Sequence, residues 1–356
     1  MSVNIYLSGM AGSGKTAIAL SLSFKLQEKG YRVAYFKPQG FLKNLGRRED
    51  DDIQIMKNAL SLSFSSDVIS PVALNPFYLS SASLESKEDS LEKLDQAYQK
   101  LSGECDVLLI EGSITPNLGM CYQMDDFSLA QRWNAALLQV IKADDDFELD
   151  DSMGCLSLTM TKELNSIGCV FNNVTEAQWD TTNQIYRTLV ENMGVNVLGI
   201  LPKRTELSTP TAREFCKALG GELLAGETHL HRKVENVVVG TMNIESALTH
   251  LRRSANKAVI TGGDRNDMAL TAMETSTSAI ILTGGLYPDV KVISQAEEKN
   301  IPVILVHCDT FTTVENLSGV YRNIHSENQE AIQLLRKDTE VYLDFSPVYR
   351  YVKENS

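Results

Sequence analysis

An apolar run, Ile5-Tyr6-Leu7-Ser8, stops at Gly9, and after Met10, Ala11, Gly12 and Ser13 the chain continues Gly14-Lys15-Thr16. This is the spacing of a phosphate-binding loop, G-x-x-x-x-G-K-[ST]. Each residue type has a physical task. Gly9, Gly12 and Gly14, with Ser13 between them, let the backbone curl so that its N–H groups and the positive end of the following helix face an anion. Lys15 supplies a charge to the β- and γ-phosphates, and the Thr16 hydroxyl reaches a bound Mg²⁺. The expected ligand is a magnesium nucleotide.

Further chemistry falls at strand ends. Val33-Ala34-Tyr35-Phe36 reads as a buried strand closed by Lys37-Pro38, and in parallel sheets ligands gather at the carboxyl ends of strands. Residues 105–112 form another buried strand, ending in Glu111, at the level where an acidic residue meets a phosphate-bound metal. The charged run of residues 47–52 precedes a helical segment, residues 53–60, whose start suits carboxylates. One carboxylate there is expected to face the loop and hold Mg²⁺.

The elements that must position these groups follow the same rhythm. The first strand, the loop, a helix ending at Gly30 and the second strand make a βαβ unit. Residues 61–90 read as irregular connection, residues 90–101 as helix, and residues 135–141, 167–174 and 195–202 as strands. The acidic run of residues 144–151 reads as a solvated loop. Strands alternating with helices indicate an α/β fold with a doubly wound, mostly parallel sheet.

Residues 219–226, rich in glycine, read as a hinge. Beyond them Lys257 to Ile260 lead into Thr261-Gly262-Gly263-Asp264-Arg265, and a later strand ends in Thr283-Gly284-Gly285. Both turns are expected to offer backbone donors to an anionic ligand. The expected division is therefore residues 1–220 and a smaller α/β unit, residues 221–356.

Composition bounds the function. The 356 residues favour two domains, and 43% apolar residues provide packing material. A formal net charge of -13 and a pI near 4.9 exclude a basic nucleic-acid footprint or an anionic membrane partner. The six cysteines lack C-x-x-C spacing and fit a reducing compartment. His229 and His231, without a third ligand, make no metal site. With neither a basic leader nor ~18 uninterrupted apolar residues, a cytoplasmic protein is expected.

In order and spacing, residues 9–16, Lys37-Pro38, Asp52, Ile110-Glu111-Gly112, residues 168–174 and residues 199–202 resemble the dethiobiotin synthetase family of P-loop ATPases. The resemblance implies that Lys15 binds phosphate, that Thr16, Asp52 and Glu111 surround Mg²⁺, and that Asn172 and Pro202 border the adenine of ATP. It also implies that Lys37 contacts a carboxylated substrate. Where those synthetases carry Gly-Ala-Gly-Gly after the glutamate, this chain has Gly112-Ser113-Ile114-Thr115, so ATP and Mg²⁺ binding are implied but biotin synthesis is not. Met10 stands where division-protein ATPases carry a signature lysine, so their sandwich dimer is not implied.

Gly262-Gly263-Asp264-Arg265, then Thr283-Gly284-Gly285, then Asp309-Thr310, resemble a DRTGG domain. A synthetase-like ATPase before such a domain resembles the N-terminal regulatory part of long phosphotransacetylases; the chain is expected to lack their transferase domain, so acetyl transfer to coenzyme A is not implied. The resemblance implies that residues 262–265 and 283–285 contact a second ligand, a metabolite or protein partner, or a second copy in a homo-oligomer. The expected function is an ATP- and Mg²⁺-binding regulatory or sensory protein. The alternative is an ATP-dependent enzyme that activates a small carboxylate or carbamate, and a third reading makes the nucleotide a structural element of an assembly factor.

Overall fold

The computed structural model describes residues 2–41, 51–80, 86–204, 209–317 and 329–356. The chain forms two compact units, Met1–Leu207 with Ile324–Ser356, and Ser208–Asn323. The sequence reading placed the boundary at residue 220 and assigned everything after it to the second unit. The glycines that suggested a hinge have a local task instead. Gly220, at φ 58°, caps the helix Ala212–Leu219, which belongs to the second unit, as residues with left-handed backbone often do.

The first unit is built on a six-stranded sheet. Its strands are β1 (Val3–Ser8), β2 (Val33–Phe36), β5 (Val107–Glu111), β6 (Ala136–Ile141), β7 (Ser166–Val174) and β8 (Val197–Pro202), in the order β2-β5-β1-β6-β7-β8. Every pairing is parallel. The chain winds from β1 outward to β2 and β5, then crosses to β6, β7 and β8, so the winding reverses beside β1. That reversal is where parallel sheets leave a crevice for ligands.

Alternation along β1 divides the packing. Val3, Ile5 and Leu7 share a core with Ile18, Leu20 and Leu22 of α1 (Lys15–Glu28), and also with Leu335, Val348 and Val352 of the helices Gln329–Tyr342 and Ser346–Asn355. Tyr6 faces the other core, with Leu94, Leu101, Phe127 and Trp133. The last two helices thus share the layer of α1, packing on β8 and β7 beside it, a contact that no local sequence signal announced.

Two local readings change. Within residues 61–90, a short helix α3 (Ser66–Ile69) and a strand β4 (Val72–Leu74) occur, the latter paired in parallel with β3 (Gln39–Phe41). The acidic run is not a loop throughout: Asp145 caps a helix Asp146–Thr161, its side chain accepting from Glu148 N–H. Carboxylates gather there because the helix N-terminus is positive.

The second unit has a five-stranded sheet, β10 (Asn236–Val239), β11 (Lys257–Gly262), β12 (Thr277–Thr283), β13 (Val303–Leu305) and β9 (Glu222–Ala225) in that order. Only β9 runs antiparallel. Among the described residues no helix is long and apolar enough to cross a membrane, and all six cysteines are free.

Candidate functional site

The loop leaves β1 and enters α1 with Gly12 at φ 73° and Gly14 at φ 86°, backbone conformations that a side chain penalises. At Gly9 the constraint is space, since a Cβ would collide with the Val140 carbonyl of β6. Ser13 is wholly buried and donates its N–H to Met10 O at 3.1 Å. Lys15 is folded over the loop, its Nζ donating to Gly9 O at 2.7 Å and to Met10 O at 3.2 Å. Burial lowers the Lys15 pKa, an effect opposed by the negative charges of Glu111 and Asp126.

Four of the sequence-predicted side chains meet at the carboxyl ends of β2 and β5. Thr16 Oγ1 donates to Glu111 Oε1 at 2.9 Å. Lys37 Nζ donates to Asp52 Oδ2 at 2.6 Å and lies 3.6 Å from Glu111 Oε1. Glu111 is 2% exposed. Asp52 arrives on α2 (Asp51–Leu60), so the carboxylate expected to face the loop is the second residue of that helix. Residues 47–50 of the charged run lie outside the described residues.

Thr16 Oγ1, Asp52 and Glu111 offer hard oxygen donors, the chemistry that Mg²⁺ takes, and two carboxylates leave coordination positions for phosphate oxygens and water. The Lys37 ammonium stands between those carboxylates, which is itself a sign that the spot favours positive charge. Among the described residues no group of three or more His, Cys, Asp or Glu is placed to hold a metal by itself. The donor set therefore fits a cation that arrives with a phosphate chain.

Asn172, at the end of β7, turns toward the loop and donates from Nδ2 to Ser13 O at 2.7 Å. Pro202 ends the neighbouring strand and pairs with Val174. Both thus lie on the sheet edge that carries the loop.

Three residues escaped the sequence reading. Tyr35 donates its hydroxyl to Glu111 Oε2 at 2.9 Å. It precedes Lys37 by two, so strand alternation gave a signal that it shares a face with the lysine. Asn173 donates to Gly12 O at 3.2 Å. Asp126, fully buried, accepts from Ser8 Oγ at 2.6 Å, from Tyr6 OH at 3.2 Å and from Ser113 N–H at 3.3 Å. Burial pushes its carboxyl up to about 7, against the pull of those donors and of the Lys15 charge. Its sequence context hid it: Asp125-Asp126 opens the helix Asp126–Arg132, and acids there are ordinarily solvated helix starts.

In the second unit, Gly262 ends β11 and is followed by Gly263, Asp264 and Arg265, and Thr283 ends β12 and is followed by Gly284 and Gly285, at adjacent carboxyl ends. The backbone donors expected to face an anion are engaged internally. Gly263 N–H donates to Thr283 O, Gly284 N–H to Cys308 O and Gly285 N–H to Val306 O, at 3.1, 3.0 and 2.9 Å. The glycines allow close approach, since a Cβ at Gly263 would collide with Leu286 O. Arg265 pairs with Asp267 at 3.0 Å rather than with its neighbour Asp264, which is exposed. Thr283 Oγ1 and Thr310 Oγ1 are hydrogen-bonded at 3.0 Å.

Residues 4–211 match the family described as an AAA domain, AAA_26, and residues 214–320 match the DRTGG domain. The chain is 21% identical over 351 residues to a phosphate acetyltransferase of Pseudomonas putida, covering 94% of this chain and 49% of that protein. It is 23% identical over 370 residues to a phosphate acetyltransferase of Nitratidesulfovibrio vulgaris, covering 97% and 51%. To the ATP-dependent dethiobiotin synthetase BioD of Methanococcus vannielii it is 33% identical over 112 residues, covering 31% and 50%. The chain spans about half the length of these curated relatives. Among solved structures, the Aquifex aeolicus MinD cell division protein overlaps 58% of this chain and 84% of its own at 15% identity and a TM-score of 0.36. With its phosphate loop, strand-end glutamate and glycine-turn second unit, the chain belongs to the AAA_26 family of AAA domains, joined to a DRTGG domain and homologous to phosphate acetyltransferases and BioD.

Proposed function

We propose that the first unit binds ATP with Mg²⁺, and that this nucleotide state is read out together with a second ligand or protein partner at the DRTGG unit, making the chain a regulatory or sensory protein. The observation that carries the reading is the convergence of Thr16, Glu111, Lys37 and Asp52 beside the phosphate loop, linked by contacts of 2.9, 3.6 and 2.6 Å. Bound Mg²⁺ would neutralise phosphate charge there. Thr16, Asp52 and Glu111 would hold it, while Lys15 would leave the Gly9 and Met10 carbonyls for the phosphate oxygens. Asn172 and Pro202 would border the adenine. Such a protein works by differential affinity: each ligand must favour one state of the molecule over another.

Titration calorimetry tests it. Mg-ATP binds the wild-type chain, and Lys15→Ala weakens it by roughly 10- to 100-fold, as loss of a charge-assisted contact requires. Absence of heat with ATP, with and without Mg²⁺, would reject the proposal. The homo-oligomer that the regulatory reading includes is checked by sedimentation equilibrium, where a monomer at high concentration removes it.

The buried Lys37 ammonium favours a second reading, an enzyme that uses ATP to activate a small carboxylate or carbamate. Lys37 would orient the acid, and Lys15 would stabilise charge on the transferred phosphoryl group. This reading requires ATP turnover that depends on an added small acid and collapses in Lys37→Ala. Turnover unchanged in that variant eliminates it.

A further inference from the structure

We infer that Asn172 and Asn173 together clamp the phosphate loop in its anion-receiving shape, acting as positioning residues for the phosphates. The inference rests on the nucleotide reading above. In a regular strand, consecutive side chains point to opposite faces, so two adjacent asparagines could not both reach one loop. At the end of β7 the regularity breaks. Phe171 pairs with Ile200 but Val174 pairs with Pro202, so β7 carries one residue more than β8 between the two pairs. A bulge of this kind re-aims a side chain. Asn173 takes φ 61°, a left-handed conformation that asparagine tolerates better than most residues.

Both amides consequently reach the loop, Asn172 Nδ2 donating to Ser13 O at 2.7 Å and Asn173 Nδ2 to Gly12 O at 3.2 Å. Peptide planarity carries the effect onward. In a trans peptide the C=O and the next N–H point in opposite directions, and the described residues contain no cis peptide. Drawing the Ser13 carbonyl toward Asn172 turns the Gly14 N–H away from it. Drawing the Gly12 carbonyl toward Asn173 likewise turns the Ser13 N–H inward, where it meets Met10 O at 3.1 Å. The fit is reciprocal, because a Cβ at Gly14 would collide with Asn172 Nδ2. The Gly14 N–H is thereby aimed, and the Ser13 N–H held within the loop, before the anion arrives, which removes reorganisation from the binding step.

The resemblance to the synthetases assigns Asn172 to the adenine. The clamp gives its amide a second duty that does not involve the base, and the two are separable with a probe that has no base. Magnesium tripolyphosphate and Mg-ATP are titrated by calorimetry into wild type, Asn172→Ala, the isosteric Asn172→Asp, and Asn173→Gly, which keeps the left-handed backbone accessible. The clamp requires Asn172→Ala and Asn172→Asp to weaken both ligands in parallel, by about tenfold for one lost buried hydrogen bond. Asn173→Gly weakens both by a smaller factor. If ATP binding falls while tripolyphosphate affinity holds, Asn172 serves the base alone and the clamp is overturned. It is equally overturned if the variants only lose thermal stability and keep tripolyphosphate affinity. A wild-type chain that binds neither ligand removes the nucleotide reading and the clamp with it.

Discussion

Asp126 is an acid placed where its charge is costly, wholly buried under the end of β1 and pushed up to about 7 from the ordinary 3.8. The folded chain therefore holds a proton that the unfolded chain releases near pH 4. Stability from this group is full below that point and is lost as pH rises through about 7. In urea, wild type will unfold at a lower midpoint at about pH 8 than at about pH 5, and Asp126→Asn will shrink that difference. An equal drop in both proteins refutes the assignment. Gly14 makes a second prediction at this scale. With φ 86° and the Asn172 amide beside it, Gly14→Ala will cost about 1–2 kcal/mol in backbone strain alone and will weaken Mg-ATP. A denaturation midpoint and a titration on one preparation check both.

Among the elements, the helix Gln329–Tyr342 joins segments far apart in sequence. Its Leu335 is 3% exposed in the core that also holds Leu20 and Leu22 of α1, and Arg336 lies 3.7 Å from the Phe24 ring centre. Its Asp338 receives Arg204, just beyond β8, at 2.6 Å. Leu335→Ala will lower unfolding free energy by about 2–5 kcal/mol, as a buried leucine cavity does, measured by equilibrium denaturation. This element also shows where sequence reading stops. The loop, Glu111 and the run of strands were legible because glycine spacing and strand-end charges are local. The return of residues 329–356 to α1 is a contact between distant segments, and its amphipathic pattern does not say which face will receive it. Asn173 was illegible for a related reason: only the bulge against β8 turns it to the loop.

At the level of the whole molecule, the second unit interrupts the first, entering after residue 207 and leaving before 324. If the two unfold as separate transitions, Mg-ATP will raise only the one belonging to the phosphate loop. At a concentration 100 times Kd, the gain is about 2.7 kcal/mol. Scanning calorimetry of the full chain, with Lys15→Ala as control, measures this, and a shift of both transitions would mean that the units unfold as one. The interruption has a further consequence for biosynthesis. The side of α1 that meets the helix Gln329–Tyr342, where Arg336 covers the Phe24 ring, is made among the first residues, yet that helix is among the last. A nascent chain therefore emerges with that greasy face bare, and it stays so while the whole DRTGG unit is translated. Ribosome-stalled chains halted before residue 329 should be nicked by protease within the phosphate-loop unit, even when the interposed unit already resists cleavage.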